Sequence, residues 1–165
     1  MNAKDAISNS LKSTQSLLES YVSDLSDADL LVRPVPSANH IAWQLGHLVS
    51  AETMLGSSKN IPGANYPELP AGFADQHNKQ TAAMDPPKGF RTKEEYIGLF
   101  KKVRAATLAN LAKLSDADLD KPISGDMAKF APTVGAVLLL TSNHVLMHAG
   151  QFTVVRRKLG KPVLF

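Results

Sequence analysis

The chain contains no cysteine, which excludes disulfides, thiolate-held zinc and a cysteine nucleophile together. It has no glycine-rich phosphate loop, so nucleotide hydrolysis is without support. No apolar run approaches the roughly 20 residues that a membrane-spanning helix needs. The opening segment around Asp5 and Ile7 carries no apolar signal core, and the expected location is the cytoplasm. Charge of one sign is scarce too: 18 Lys and Arg against 15 Asp and Glu leave a net charge of +3. The densest basic cluster is Arg156, Arg157, Lys158 and Lys161. It falls where a final helix should end and where cations suit the helix dipole, so neither a nucleic acid nor a membrane is the expected partner.

What remains is a chain of 165 residues, 44% of them hydrophobic, enough for one domain over residues 1–165 with a substantial core. Apolar residues at Ile7, Leu11, Leu18, Tyr21 and Leu25 keep a helical rhythm, giving a first helix over about residues 3–24. Arg33-Pro34-Val35-Pro36 interrupts it. Ser37 or Asn39 then offers a cap for a second helix with the stripe Ile41, Leu45, Leu48 and Leu55. Residues 59–91 are rich in Pro and Gly and cannot form one long helix, although a short one over Ala71–Met84 is compatible with the pattern. Thr92 and Glu95 form a capping-box signature for a third helix through Tyr96, Phe100, Val103, Thr107, Leu111 and Leu114. A fourth runs from Thr133 to Leu159, where Gly160 and Pro162 stop it.

Leu25-Ser26-Asp27-Ala28-Asp29-Leu30 recurs as Leu114-Ser115-Asp116-Ala117-Asp118-Leu119. The echo supports two helix–crossover–helix halves, with the first helix paired to the second and the third to the fourth. Equally, Ser-Asp-Ala-Asp is a good cap sequence that arose twice. The expected fold is all-α: a four-helix bundle with long crossover loops.

His144 and His148 stand four apart on the fourth helix, on one face and one turn apart. His148 shares the inward stripe of Val134, Val137, Thr141 and Phe152. Two buried imidazoles need polar partners, and the second helix supplies His47 beside Leu45 and Leu48. Three neutral imidazoles on one cation would leave an open coordination position, the catalytic pattern. The competing readings are a hydrogen-bonded histidine cluster without metal and histidines that face outward.

Two motifs carry a family resemblance. Asn39-His40-Ile41-Ala42-Trp43-Gln44-Leu45-Gly46-His47-Leu48 places a Trp one turn before Leu-Gly-His-Leu. Asn143-His144-Val145-Leu146-Met147-His148-Ala149-Gly150-Gln151 is a His-x-x-x-His followed by a small residue, Gly and Gln. Both resemble the metal-binding helices of the DinB-like (YfiT-like) metalloenzymes. The resemblance implies a four-helix bundle with a divalent metal held by His47, His144 and His148, and a homodimer. It also implies a thiol-dependent transferase as one possible activity. With no cysteine in the chain, a low-molecular-weight thiol would have to come as a cofactor.

Two functions follow as expectations: a metal-dependent transferase or hydrolase acting on a small-molecule substrate, or a non-catalytic metal-containing stress-response or binding protein. Imidazole ligands accept Zn, Ni, Cu or Fe, with Zn or Ni foremost, and not Mg or Ca. Among the other residues, His40 reads as exposed or capping ahead of a proton carrier or pocket-lining group, and His77 as a solvent-exposed loop residue, with closure over a metal site as its alternative. Trp43 packs in the core or walls the site. Gln151 is favoured over Gln44 as a partner for a ligand imidazole. Gly150 suggests a close helix approach or access to a pocket, and Glu52 receives no role.

Overall fold

Asn2 begins the first helix by accepting the Asp5 N–H on its side-chain oxygen at 2.8 Å, which satisfies one of the amides that a helix start leaves open. In this computed structural model, which describes residues 1–83, 89–162 and 164, that helix is α1, Ala3–Val22. It is followed by α2 (Asp27–Leu30), α3 (Ile41–Leu55), α4 (Phe73–Gln76), α5 (Lys93–Lys113), α6 (Asp116–Leu119) and α7 (Val134–Lys158). Among the described residues a single 3₁₀ turn spans Asp126–Lys129. The expected capping box of Thr92 and Glu95 starts α5, Thr133 caps α7, and Gly160 ends it with φ +67. The expected helix over Ala71–Met84 shrinks to the one turn of α4, and its far end, Met84, lies outside the described residues. Both Leu-Ser-Asp-Ala-Asp-Leu copies do the same local work. Ser26 with Asp29, and Ser115 with Asp118, form reciprocal capping boxes that open α2 and α6.

Of the long helices, α1 packs on α7 and α5, and α3 packs on α5 and α7. Consecutive long helices in each half, α1 with α3 and α5 with α7, therefore face each other across the diagonals. This corrects the expected pairing. A short loop forces its two helices to be neighbours, whereas residues 23–40 and 114–133 each contain a one-turn helix and cross the end of the bundle. The consequence for the site is direct: α3 and α7, the two histidine-bearing helices, lie side by side.

Leu18, Ile41, Leu45, Phe100, Val145 and Phe152 meet in the main core. Arg104 is buried near it with every nitrogen engaged. Its Nε and Nη2 each donate to a Glu52 carboxylate oxygen at 2.8 Å, and Nη1 donates to the Leu11 carbonyl and to Thr14 Oγ1. Thr107 Oγ1 donates to Glu52 Oε1 at 2.6 Å and so is free to accept the Tyr66 hydroxyl proton at 3.0 Å. Glu52, given no role from sequence, thus ties α3 to α1 and α5 through one buried ion pair. Gly150 is exposed, and a side chain there would meet nothing within 4 Å. The close approach expected of it does not occur.

Candidate metal centre

α3 begins on a histidine rather than on Ser37 or Asn39. His40 Nδ1 accepts the Trp43 N–H at 3.0 Å, and its ring, fully buried, stands edge-on to Phe90 with centroids 4.5 Å apart. His40 is therefore a capping residue, as one of its readings held, but not an exposed one. From this fixed start the helix carries Gln44 and His47 toward α7, and Trp43 and Gly46 toward the segment that holds His77 and Thr81.

One ring nitrogen from each of His47, His144 and His148 lies within 4.8 Å of the others, and among the described residues no carboxylate joins this cluster. The His144 and His148 Nε2 atoms are 3.2 Å apart, and the ring centroids of His47 are 5.1 and 5.3 Å from theirs. Ligands on a tetrahedral ion at 2.0–2.1 Å stand about 3.3 Å apart. The α7 pair is already at that spacing, and a ring nitrogen of His47 lies within 4.8 Å of both.

Hydrogen bonds decide the tautomers. Gln44 Nε2 donates to the Asn39 carbonyl at 3.0 Å, so its amide oxygen faces His148 and accepts the Nδ1 proton at 2.8 Å. His148 Nε2 is then a lone pair, and the proton between the two α7 rings sits on His144 Nε2, from which it must pass to Nδ1 before His144 can ligate. His47 Nδ1 faces the His77 carbonyl at 3.3 Å, which can only accept, so Nε2 of His47 is a lone pair as well. Gln44, not Gln151, orients a histidine of the cluster, because Gln151 lies on the exposed face of α7.

His77 was expected in solvent and is 1% exposed. Its Nδ1 donates to the Phe73 carbonyl at 2.7 Å, and its Nε2 accepts the Tyr96 hydroxyl proton at 2.8 Å. Trp43 walls the site. Its ring stacks on His47, with centroids 4.9 Å apart and planes 6° from parallel, and its Nε1 donates to Thr81 Oγ1 at 3.1 Å. The residues that sequence reading missed, Tyr96 and Thr81, lie on elements distant in sequence from both histidine motifs and carry no motif of their own.

Burial governs the electrostatics. It lowers His144 to about 4 and His148 to about 3, with the neighbouring imidazoles adding a smaller push in the same direction. Burial lowers His47 as well, opposed by its bond to the His77 carbonyl and assisted by Lys79. All three rings are therefore neutral at pH 7, the state in which imidazole binds a metal.

Helical bundles that converge histidines from neighbouring helices form the class to which this architecture points. The family model of the DinB superfamily matches residues 10–152, and the chain belongs to that superfamily. Among the solved structures that share its fold are the following two. A conserved protein from Enterococcus faecalis is 17% identical, with a TM-score of 0.71 over 98% of this chain and 99% of that one. YfiT from Bacillus subtilis, described as a probable metal-dependent hydrolase with an unusual four-helix bundle topology, is also 17% identical, with a TM-score of 0.64 over 96% and 89% of the two chains. No curated protein matches. No described helix is long and apolar enough to cross a membrane.

Proposed function

We propose that this protein is a metal-dependent enzyme acting on a small molecule by hydrolysis or group transfer, with His47, His144 and His148 as the ligands of one divalent transition ion. The observation that carries this reading is the convergence of three imidazoles, two of them committed at Nδ1. Gln44 and the His77 carbonyl engage the Nδ1 side of His148 and His47, and the remaining nitrogens converge with no fourth protein ligand among the described residues. Three imidazoles without a carboxylate suit Zn, Ni, Cu or Fe, and not Mg or Ca. An ion so held acts as a Lewis acid and lowers the pKa of a water or thiol that binds it.

The protein's own contribution is to hold the rings neutral by burial, to fix two tautomers, and to wall one side with Trp43. The description of YfiT as a probable metal-dependent hydrolase supports water as the activated group. A thiol-dependent transferase is the alternative chemistry of the same site, its thiol coming from a cofactor because the chain has no cysteine. The absorption spectrum of cobalt-loaded protein, titrated with a small thiol, tests the reading. An open position gives a d–d spectrum that responds to added ligands such as thiols or azide. A spectrum insensitive to every added ligand identifies a closed, non-catalytic metal protein instead.

A further inference from the structure

We infer that His77 is a positioning residue for the metal centre: its buried ring seats the Phe73–Thr81 segment against α3, so that its own carbonyl orients His47. This rests on the reading of His47, His144 and His148 as a metal site.

The seat is built into α3. A Cβ on Gly46 would lie 2.1 Å from His77 Cδ2, an impossible overlap, so the ring of His77 occupies the place of a missing side chain immediately before His47. Both ring nitrogens are used. The donor bond to Phe73 closes the turn of α4, and the acceptor bond to Tyr96 fastens the ring to α5. Phe73 and Tyr96 also pack on the ring, with centroids 4.4 and 5.5 Å away. With both nitrogens engaged, the side chain of His77 is an anchor and not a fourth ligand.

Ring and carbonyl belong to one residue. Fixing the ring on Gly46 and Tyr96 therefore fixes the carbonyl that receives the His47 Nδ1 proton. A second fastening lies four residues on. Thr81 Oγ1 accepts from Trp43 Nε1 and donates to the Gln76 carbonyl at 2.7 Å, and Trp43 is the ring stacked on His47. The contact at the edge of the His47 imidazole thus comes from this loop segment, and the ring stacked on its face is fastened to the same segment. A carbonyl at the far nitrogen of a ligating imidazole fixes its tautomer and raises its basicity, and loss of such partners typically weakens metal binding by about 10–100-fold.

The test compares Co²⁺ affinity and metal-free melting temperature in the wild type, His77→Ala, the milder Tyr96→Phe, and Leu111→Ala, a destabilising control in the separate core cluster around Leu11 and Leu138. The expected result is a loss of cobalt affinity of about tenfold or more in His77→Ala, and a smaller loss in Tyr96→Phe, although every ligand is intact. Leu111→Ala should melt earlier yet bind cobalt as the wild type does. Should His77→Ala fail to fold, Tyr96→Phe decides. Cobalt affinities within twofold of wild type in the folded variants overturn the inference, as does an equal loss in Leu111→Ala, which would reduce the effect to general destabilisation. If the wild type itself binds no cobalt, the reading of the site falls and takes this inference with it.

Discussion

Gln44 uses both ends of its amide, donating to the Asn39 carbonyl and accepting from His148 Nδ1. Replacing it with Ala leaves a buried imidazole N–H without its acceptor and the ring free to change tautomer. The expected result is metal affinity lower by about 10–100-fold with the helix content retained, measured by competition with a chromogenic chelator. The histidines themselves set a pH dependence. An unfolded histidine titrates near 6.5, whereas burial holds His77 and His144 down to about 4 and His148 to about 3. Between those values the unfolded chain binds more protons than the folded one, so stability rises with pH and is lost as pH falls through the window. Metal-free protein should melt progressively earlier in calorimetry as pH drops from about 6.5 toward 4. A melting temperature flat across that range contradicts the assignment of these rings as buried and neutral.

At the scale of elements, α3 is held at both ends of its chemistry: by the His40 cap at the start and by Glu52 near the close. The Glu52–Arg104 pair is 2% and 0% exposed, and removing one partner of such a pair costs about 3–5 kcal/mol, because the other charge is left buried. Glu52→Ala is expected to lose stability of that order in urea unfolding, and a change below about 1 kcal/mol would show that Arg104 finds water or another acceptor. The four long helices and both histidine motifs were legible in sequence, because apolar periodicity, the Thr92–Glu95 box and the Gly160 stop are local signals. The partners were not. Gln44 and Gln151 are both polar residues on histidine-bearing helices, and only the packing of α3 on α7 shows which faces inward. His77 sits among prolines and glycines and so read as solvent-exposed, although the hole left by Gly46, which receives it, was visible only in three dimensions.

Across the whole molecule, the crossovers over residues 23–40 and 114–133 place α3 beside α7, and the histidines then meet across that one helix pair. The repeated Leu-Ser-Asp-Ala-Asp-Leu segment suggests pairing within two helix–crossover–helix halves, which the packing corrects, whereas its other reading, a cap sequence used twice, is what opens α2 and α6. The bundle has extensive apolar cores, two of which contain none of the site's packing partners. Chelation is therefore expected to leave helical circular dichroism largely intact while lowering the melting temperature, since a ligand bound only by the native state stabilises it by mass action. Complete unfolding on chelation at room temperature would make the site structural.

The central claim is that His47, His144 and His148 together hold one divalent metal. Its most direct test is elemental analysis of protein loaded with cobalt or zinc and then dialysed, comparing the wild type with a folded His144→Ala, His148→Ala double variant. The account predicts one metal per chain in the wild type and none retained by the variant. Full metal retention by the double variant, or a wild type that retains none, contradicts it.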